Sequence, residues 1–298
     1  MRRVLLGTIC IMFMISLYGQ QNNLIEEQKQ MIGEFSGHFP TSDKTYLKAR
    51  DTPENRAKAA DYLVERISQI GLSPQRNRYR FRNLNPLIDV LFSPFSGENI
   101  YTIIPATNSS DQYIVLGAHY DSELNCPGAI DNGTGSALIY SVGRMLSELD
   151  TREMNVIIVF FDQEEEDLVG SQAFADWLTD EKLNVHSVHT FDMVGWDEDG
   201  NREMELELPT TYLEKVYSEK ATEMDIPLYV TKINSTDHHS FRQAGFNAIG
   251  INEAYGKRDT TPFKDTPEDT YETVNFEYLA SSTQYVFEVI KEIINGDD

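Results

Sequence analysis

Four short segments of the chain place a histidine or a carboxylate where metal chemistry could occur. His119 directly follows the apolar run YIVLGA, Glu164 and Glu165 follow VIIVFFDQ, and Asp192 follows VHTF. Asp131 stands between them in the glycine-rich segment PGAIDNGTGS. Because loops at the carboxyl ends of parallel strands converge on one crevice, we expect these side chains to meet. One imidazole and several carboxylates suit divalent metal ions, so the sequence predicts a metal site.

His119 and Asp131 each allow a functional and a purely structural interpretation. A metal-bound imidazole usually donates its second N–H to a carboxylate, and Asp121, two residues after His119, is placed to accept it. The alternative is an ordinary hydrogen-bonded histidine at a strand end. The two oxygens of Asp131 can bridge two metal ions, but Asp131 could instead cap the helix predicted near residues 133–149. Glycines on both sides of Asp131 would let the backbone approach a ligand closely.

The acidic run from Glu164 to Asp167 also has two interpretations. Acidic runs are usually solvated surface, but this one directly follows a buried-strand pattern, so its first members are predicted at the mouth of the sheet. There one carboxylate can bind metal while its neighbour, held off the metal, takes a proton from water. For Asp192 the alternative is a turn or capping residue. We interpret His186 and His189 as structural or surface residues.

The segments that carry these residues alternate between strand and helix patterns. Helical spacing predicts a first helix over residues 53–70, which Pro53 can start and Gly71 can end. The later patterns predict strands at 113–118, 156–162, 188–193 and 247–252 and helices near 133–149, 170–178, 212–224 and 275–292. This alternation is typical of α/β proteins with a mixed, largely parallel sheet and helices on both faces. We expect one domain, over residues 20–298.

The composition favours a folded, acidic protein and argues against two classes of partner. Hydrophobic residues make up 40% of the 298 residues, which is enough for a substantial core. The 48 acidic and 25 basic side chains give a formal net charge of -23. Nucleic acids and anionic membranes bind basic surfaces, so we expect no nucleic-acid binding and no stable membrane association.

The N-terminus has the pattern of a signal peptide over residues 1–19. Two arginines precede an apolar stretch over residues 4–18, and the polar segment QQNN follows. We therefore predict export, to the periplasm or the extracellular medium, with a lipoprotein attached through Cys10 as the alternative. Cleavage would leave Cys126 without a partner for an internal disulfide, so we expect it to be a small buried residue.

Six motifs together resemble the zinc-dependent aminopeptidase family that also includes glutamate carboxypeptidase II and glutaminyl cyclase. The resemblance runs from about residue 50 to the C-terminus, and the motifs occur in the family's order. No single motif is specific, but the ordered set is. The motifs are GAHYDS, PGAIDNGTGSA, FFDQEEEDLVGS, FDMVG, TDHHSFRQAG and KDTPEDTYETVN.

The resemblance implies two metal sites that share one carboxylate. His119 and Asp192 would bind one ion, Glu165 would bind the other, and Asp131 would bridge the two. The family normally has a histidine before its Thr-Pro pair as the last ligand of the second site, and this chain has Asp265 there. An aspartate can still bind a divalent cation. The ions would be zinc, with manganese or magnesium as alternatives at the second site, because its ligands would all be oxygen atoms.

The resemblance also implies the roles of residues beside the metals. Glu164 matches the general base and Asp121 the carboxylate that orients the histidine ligand. Asp237 and His238 match a segment that supports the site. Asp167 stands where a glycine is common, and His239 or Lys264 could compensate for the change at position 265.

The implied function is that of an exported di-metal exopeptidase, in the first place an aminopeptidase acting on peptide substrates. One alternative is an enzyme like glutaminyl cyclase with a single zinc. Against it, the histidine replaced by Asp265 is normally one of that enzyme's ligands. The other alternative is a binding protein that has kept the fold and lost catalysis. The sequence does not indicate the oligomeric state.

Overall fold

Eight strands form one mixed sheet in the computed structural model, which describes residues 21–80 and 96–296. The predicted signal peptide, residues 1–19, lies outside these residues. The strands are Gln75–Arg80 (β1), Ser96–Ile104 (β2), Gln112–His119 (β3), Asn155–Phe161 (β4), Asn184–Asp192 (β5), Met204–Glu207 (β6), Leu228–Thr231 (β7) and Ala248–Glu253 (β8). The order across the sheet is β1-β2-β4-β3-β5-β8-β6-β7.

The four central strands of the sheet are parallel, and an antiparallel pair joins them to the outer strands on each side. Strands β4, β3, β5 and β8 run in one direction, whereas β2 pairs antiparallel with β4 and β6 pairs antiparallel with β8. Every residue of β4 is buried, as expected for a parallel strand that is covered on both faces. Alternate β4 residues enter two different cores, with Ile158 in one and Val159 in the other.

Helices cover both faces of the sheet. The described helices span residues 21–35 (α1), Pro53–Gln69 (α2), Gly133–Ser147 (α3), Val169–Asp180 (α4), Thr211–Met224 (α5), His238–Gln243 (α6) and Phe276–Asn295 (α7). The larger core contains residues of α2, α3, α5 and α7, and the smaller core contains residues of α4 and α6. The predicted single-domain α/β fold, with helices on both faces of a mixed sheet, is confirmed.

Local sequence chemistry sets the ends of these helices. Thr52 caps α2 through a bond from the Asn55 N–H, Pro53 occupies its first position, and Gly71 follows its end with a φ of 79°. The alternative that Asp131 caps α3 is wrong, because the Asn132 side chain accepts the bond from the Gly135 N–H. Asp131 therefore has no capping role and its carboxylate remains available for other partners.

Strand β3 is the point at which the order of the sheet reverses. The chain leaves β3 for β4 on one side and later returns to β5 on the other. In open α/β sheets such a point leaves a crevice outside the carboxyl ends of the strands, where ligands bind. His119 ends β3 and Asp192 ends β5, so two of the predicted metal ligands lie at this crevice.

The sequence patterns did not predict helices α1 and α6 or strands β6 and β7. Helix α1 buries Met31, Ile32 and Phe35 in the larger core, beside the helices that were expected. Strands β6 and β7 are four residues each, and β6 is the buried sequence MELE, whose two glutamates conceal its strand character. Among the described residues, no helix has the length and apolar character needed to cross a membrane.

Candidate metal centre

Three predicted ligands meet at the reversal point of the sheet. His119 Nε2 lies 3.2 Å from Asp131 Oδ1 and 3.4 Å from Asp192 Oδ1. All three side chains are almost completely buried, and neither ring nitrogen of His119 makes a hydrogen bond of good geometry within the described part of the chain. Tetrahedral zinc holds such atoms at about 2.0–2.1 Å, which places them about 3.3 Å apart. The observed distances therefore fit one divalent ion between the three side chains.

A second possible ligand group shares Asp131 with the first. The ligand atoms of Asp131, Glu165 and Asp265 all lie within 4.8 Å of one another. Asp265 is exposed and lies on a loop where its φ is 59°. The structure thus brings Asp265 to the place that the resemblance implied, at an outer edge of the site. The group is entirely oxygen, as the sequence predicts for the second ion.

Asp121 connects the histidine to the acidic turn that follows β4. Its Oδ1 lies 3.4 Å from His119 Nδ1. Its two oxygens also accept the backbone N–H groups of Glu164 at 3.1 Å and Glu165 at 3.2 Å. One buried carboxylate therefore positions both a predicted metal ligand and the predicted base. The contacts with the backbone of Glu164 and Glu165 were not predicted, because backbone partners leave no pattern in a sequence.

Two residues that were not predicted hold the loop of Asp131. The buried carboxylate of Asp269 accepts the N–H groups of Ile130 and Asp131, both at 2.9 Å. The guanidinium of Arg50, also buried, donates to the carbonyl of Tyr120 and at 2.8 Å to that of Gly128. Both lie far from the loop in the chain. Asp269 is within a recognised motif, but nothing in that motif distinguishes it from its acidic neighbours.

The glycines near Asp131 make room for the protein itself. A Cβ on Gly128 would lie 2.4 Å from Nη2 of Arg50, and the residue has a φ of 60°. A Cβ on Gly135 would lie 2.2 Å from Oδ1 of Asn132. The sequence analysis expected these glycines to admit a ligand. In the structure the space beside them is filled by other protein atoms of the loop and its neighbours.

The crevice concentrates negative charge in a buried place. Burial raises the pKa of Glu164 well above its ordinary value, and nearby Asp237 and Asp192 add to the shift against the opposing effect of His119. Burial and Asp131 raise the pKa of Glu165 to about 9. Carboxyl groups that are costly to ionise in this arrangement favour the binding of cations, which remove the repulsion.

Lys264 brings a cationic side chain to the crevice. Its Nζ lies 3.7 Å from Asp131 Oδ2, and its side chain is 39% exposed. Burial opposes its charge, but Asp131, Asp192 and Asp265 together raise the pKa of Lys264 above its ordinary value. His239, the other residue considered as a compensating group, joins none of the possible ligand groups in the described residues and contacts Gln243 instead.

Asp237 and His238 lie behind the ligands. Asp237 is buried, and burial raises its pKa to about 7. Nδ1 of His238 lies 3.0 Å from Thr236 Oγ1 and 3.5 Å from Glu207 Oε2. Neither residue is within a possible ligand group of the described chain, which agrees with a supporting position.

Two other sequence interpretations concern residues outside the cluster. Both ring nitrogens of the buried His189 lie 2.9 Å from a hydroxyl oxygen, those of Ser187 and Tyr217, so its structural interpretation is confirmed. Cys126 is buried, as expected for a small filler residue.

A family model described as peptidase family M28 matches residues 99–290. Aminopeptidase YwaD of Bacillus subtilis is 29% identical over 221 residues, and the match covers 67% of this chain and 46% of that protein. Leucine aminopeptidase 1 of Pyrenophora tritici-repentis is 25% identical over 232 residues, and the match covers 70% of this chain and 59% of that protein. The matched regions therefore span about half the length of these relatives.

Solved structures share the fold over most of the chain. BSAP, a zinc aminopeptidase from Bacillus subtilis, superimposes with a TM-score of 0.78 and 15% identity, covering 91% of this chain and 95% of that one. Glutaminyl cyclase of Porphyromonas gingivalis has a TM-score of 0.73 and 16% identity, covering 91% and 98%. At these identities the likeness establishes the architecture alone.

Proposed function

This chain belongs to peptidase family M28, and from that premise we propose that it is a metal-dependent aminopeptidase. The observation that carries the proposal is the convergence of His119, Asp131 and Asp192 at the distances that one zinc ion requires. The similarity to proteins named aminopeptidase supports the choice among peptidase activities. The substrates are peptides with a free N-terminus.

Two cation sites are part of the proposal. His119, Asp131 and Asp192 would hold the first ion, zinc, and Asp131, Glu165 and Asp265 would hold the second. The all-oxygen second group also suits manganese or magnesium. When bound, the ions supply Lewis-acid polarisation of the scissile carbonyl and of the attacking water.

Glu164 is the proposed proton carrier. Its carboxylate takes a proton from the attacking water and delivers it to the nitrogen of the leaving amine. Its position suits this work, because Glu164 offers an oxygen within 4.8 Å of His119 at the first ligand group. Asp121 fixes the backbone of Glu164, and Asp237 and His238 keep the rear of the crevice closed to water.

Export is the remaining element of the proposal. A signal peptide over residues 1–19 would direct the chain to the periplasm or the extracellular medium. Mass spectrometry of the protein from the exported fraction of the native host should show an N-terminus near residue 20. Intact Met1 on the exported protein would contradict this cleavage.

The function is tested by metal content and turnover measured on the same preparations. We expect bound zinc and hydrolysis of aminoacyl-anilides by wild type, with both lost in Asp192→Asn. Asp176→Asn makes the same chemical change on helix α4, where Asp176 bonds to Gln172, and should behave as wild type. A protein with bound zinc that fails to hydrolyse any anilide in a broad panel would refute the aminopeptidase assignment.

Glutaminyl cyclase is the second candidate, favoured by the fold shared with the Porphyromonas gingivalis enzyme over almost all of that chain. Cyclisation of peptides with an N-terminal glutamine, measured by release of ammonia, would identify it. Metal binding without either reaction would instead indicate a binding protein of the same fold.

A further inference from the structure

The two oxygens of Asp131 face different positive partners. Oδ1 lies 3.2 Å from Nε2 of His119, on the side of the first ligand group. Oδ2 lies 3.7 Å from Nζ of Lys264. Among the described residues, Lys264 is the only lysine or arginine with a charged nitrogen within 4.0 Å of a carboxylate of either ligand group. An ammonium group therefore lies beside the oxygen that the first group leaves free.

We propose that the Lys264 ammonium is a built-in competitor of the second metal ion for Asp131. The inference rests on the proposed function and concerns the affinity of its second cation site. In the resting protein the first ion is held tightly, and Lys264 supplies the positive charge on the other side of Asp131. The second ion binds with lower affinity, because the ammonium must first move away.

Charge balance supports this arrangement. Asp131, Glu165, Asp192 and Asp265 carry four negative charges when ionised, and one divalent ion with the ammonium neutralises three of them. A second divalent ion would therefore enter a place where the Lys264 ammonium already offsets part of the negative charge. An ammonium and a divalent ion a few ångströms apart repel one another strongly in a partly buried crevice, so the two do not share Oδ2.

The side chain of Lys264 is suited to leaving. It is 39% exposed, and Asp131 is its only ion-pair partner within the described chain. A lysine ammonium is a compact charge on a flexible four-carbon stem. Rotation about the bonds of that stem can move the ammonium into solvent. Lys264 therefore lowers the affinity of the second site without closing it. Activity that needs the second ion would then follow the cation concentration of the surroundings.

The test is a zinc titration of the metal-free protein, in which calorimetry measures the affinities and native mass spectrometry counts the bound ions. For wild type we expect one tightly bound ion and a second that binds at least about tenfold more weakly. Lys264→Met should raise the affinity of the second ion by about tenfold or more and leave the first nearly unchanged. Lys264→Arg keeps the charge and should keep the weak second site.

Lys215→Met is the matched control, because it removes the same charge from a side chain that is 70% exposed on helix α5. It should bind both ions as wild type does. Asp265→Ala should abolish the weak site and spare the tight one, which shows that the weak site is the one beside Lys264. Circular dichroism of each metal-free variant confirms folding.

The outcomes separate this inference from the function on which it rests. Two equally tight ions in wild type, or an unchanged second affinity in Lys264→Met, would overturn the competition while leaving the metal-dependent peptidase intact. A wild-type protein that binds no ion at all would overturn both.

Discussion

Asp121→Asn is the most informative single change in the described site. The aspartate accepts the N–H groups of Glu164 and Glu165, one on each oxygen, and lies beside Nδ1 of His119. An asparagine has the same shape but only one side-chain oxygen, which can accept only one of these two N–H groups. Its amino group must then face the other N–H group, which is also a donor. The substitution therefore breaks one contact and turns it into a repulsion without creating a cavity.

The size of the effect follows from burial. The Asp121 side chain is 3% exposed, so solvent does not replace the lost bond. A hydrogen bond to a charged group contributes about 1.5–3 kcal/mol, and an unsatisfied buried N–H adds about 1 kcal/mol or more. We expect a loss of about 2–4 kcal/mol in unfolding free energy, which lowers Tm by about 4–10 °C. Loss of the carboxylate charge beside Nδ1 of His119 should also weaken metal binding by about 10–100-fold.

Thermal unfolding of the metal-free protein measures the first effect, and zinc competition with a chromophoric chelator measures the second. Asp176→Asn serves as the control, since it makes the same substitution on the exposed side of helix α4. A variant with wild-type zinc affinity and a Tm within 1–2 °C of the control, roughly the error of such comparisons, would refute the positioning role of Asp121.

Four other changes test separate parts of the site. Glu164→Gln should lower turnover by about two or more orders of magnitude with metal content unchanged, and near-normal turnover would remove Glu164 from the mechanism. Chelation should lower Tm, and zinc should restore it, because ions bind the folded state alone; identical melting curves with metal loss confirmed would argue against a shared metal site. Asp265→His should raise the preference of the second site for zinc over magnesium, measured by calorimetry, and an unchanged preference would exclude Asp265 as a ligand. Burial raises the pKa of Glu207 from 4.5 to about 8. Between these two pH values the folded state keeps a proton on Glu207 that the unfolded state has lost, so the free energy of unfolding falls as the pH rises. Glu207→Gln should remove this loss, worth at most about 4–5 kcal/mol, so its Tm relative to wild type should rise between pH 5 and 8; a constant difference would contradict the shift.

The sequence was a good guide wherever periodicity reports burial. Runs such as VIIVFFD are buried on both faces of a parallel sheet, so β4 and its neighbours could be placed within a few residues. The topology then required His119 and Asp192 to be adjacent, because both end parallel strands. Prediction of the ligand cluster needed nothing more than this rule and the resemblance.

The sequence was a poor guide to partners that are backbone groups or distant residues. Asp269 and Arg50 act through N–H and carbonyl groups, whose positions depend on the completed fold. The sequence around Glu205 and Glu207 resembles an exposed edge strand, yet both side chains are fully buried in β6. There hydroxyl and amide groups donate hydrogen bonds to most of their carboxylate oxygens. Lys264 could be named as a candidate, but its place beside Asp131 came from the loop geometry alone.

The clamp on the Asp131 loop has a consequence for the order in which the protein matures. Arg50 reaches Gly128 across 78 residues, and Asp269 reaches Asp131 across 138 residues in the other direction. Contacts between such distant positions form late, since the loop-closure entropy of the intervening chain must be overcome first. A growing or partly folded polypeptide therefore lacks the finished cradle for the ions. Tight binding of the proposed ions would therefore be one of the last events of folding.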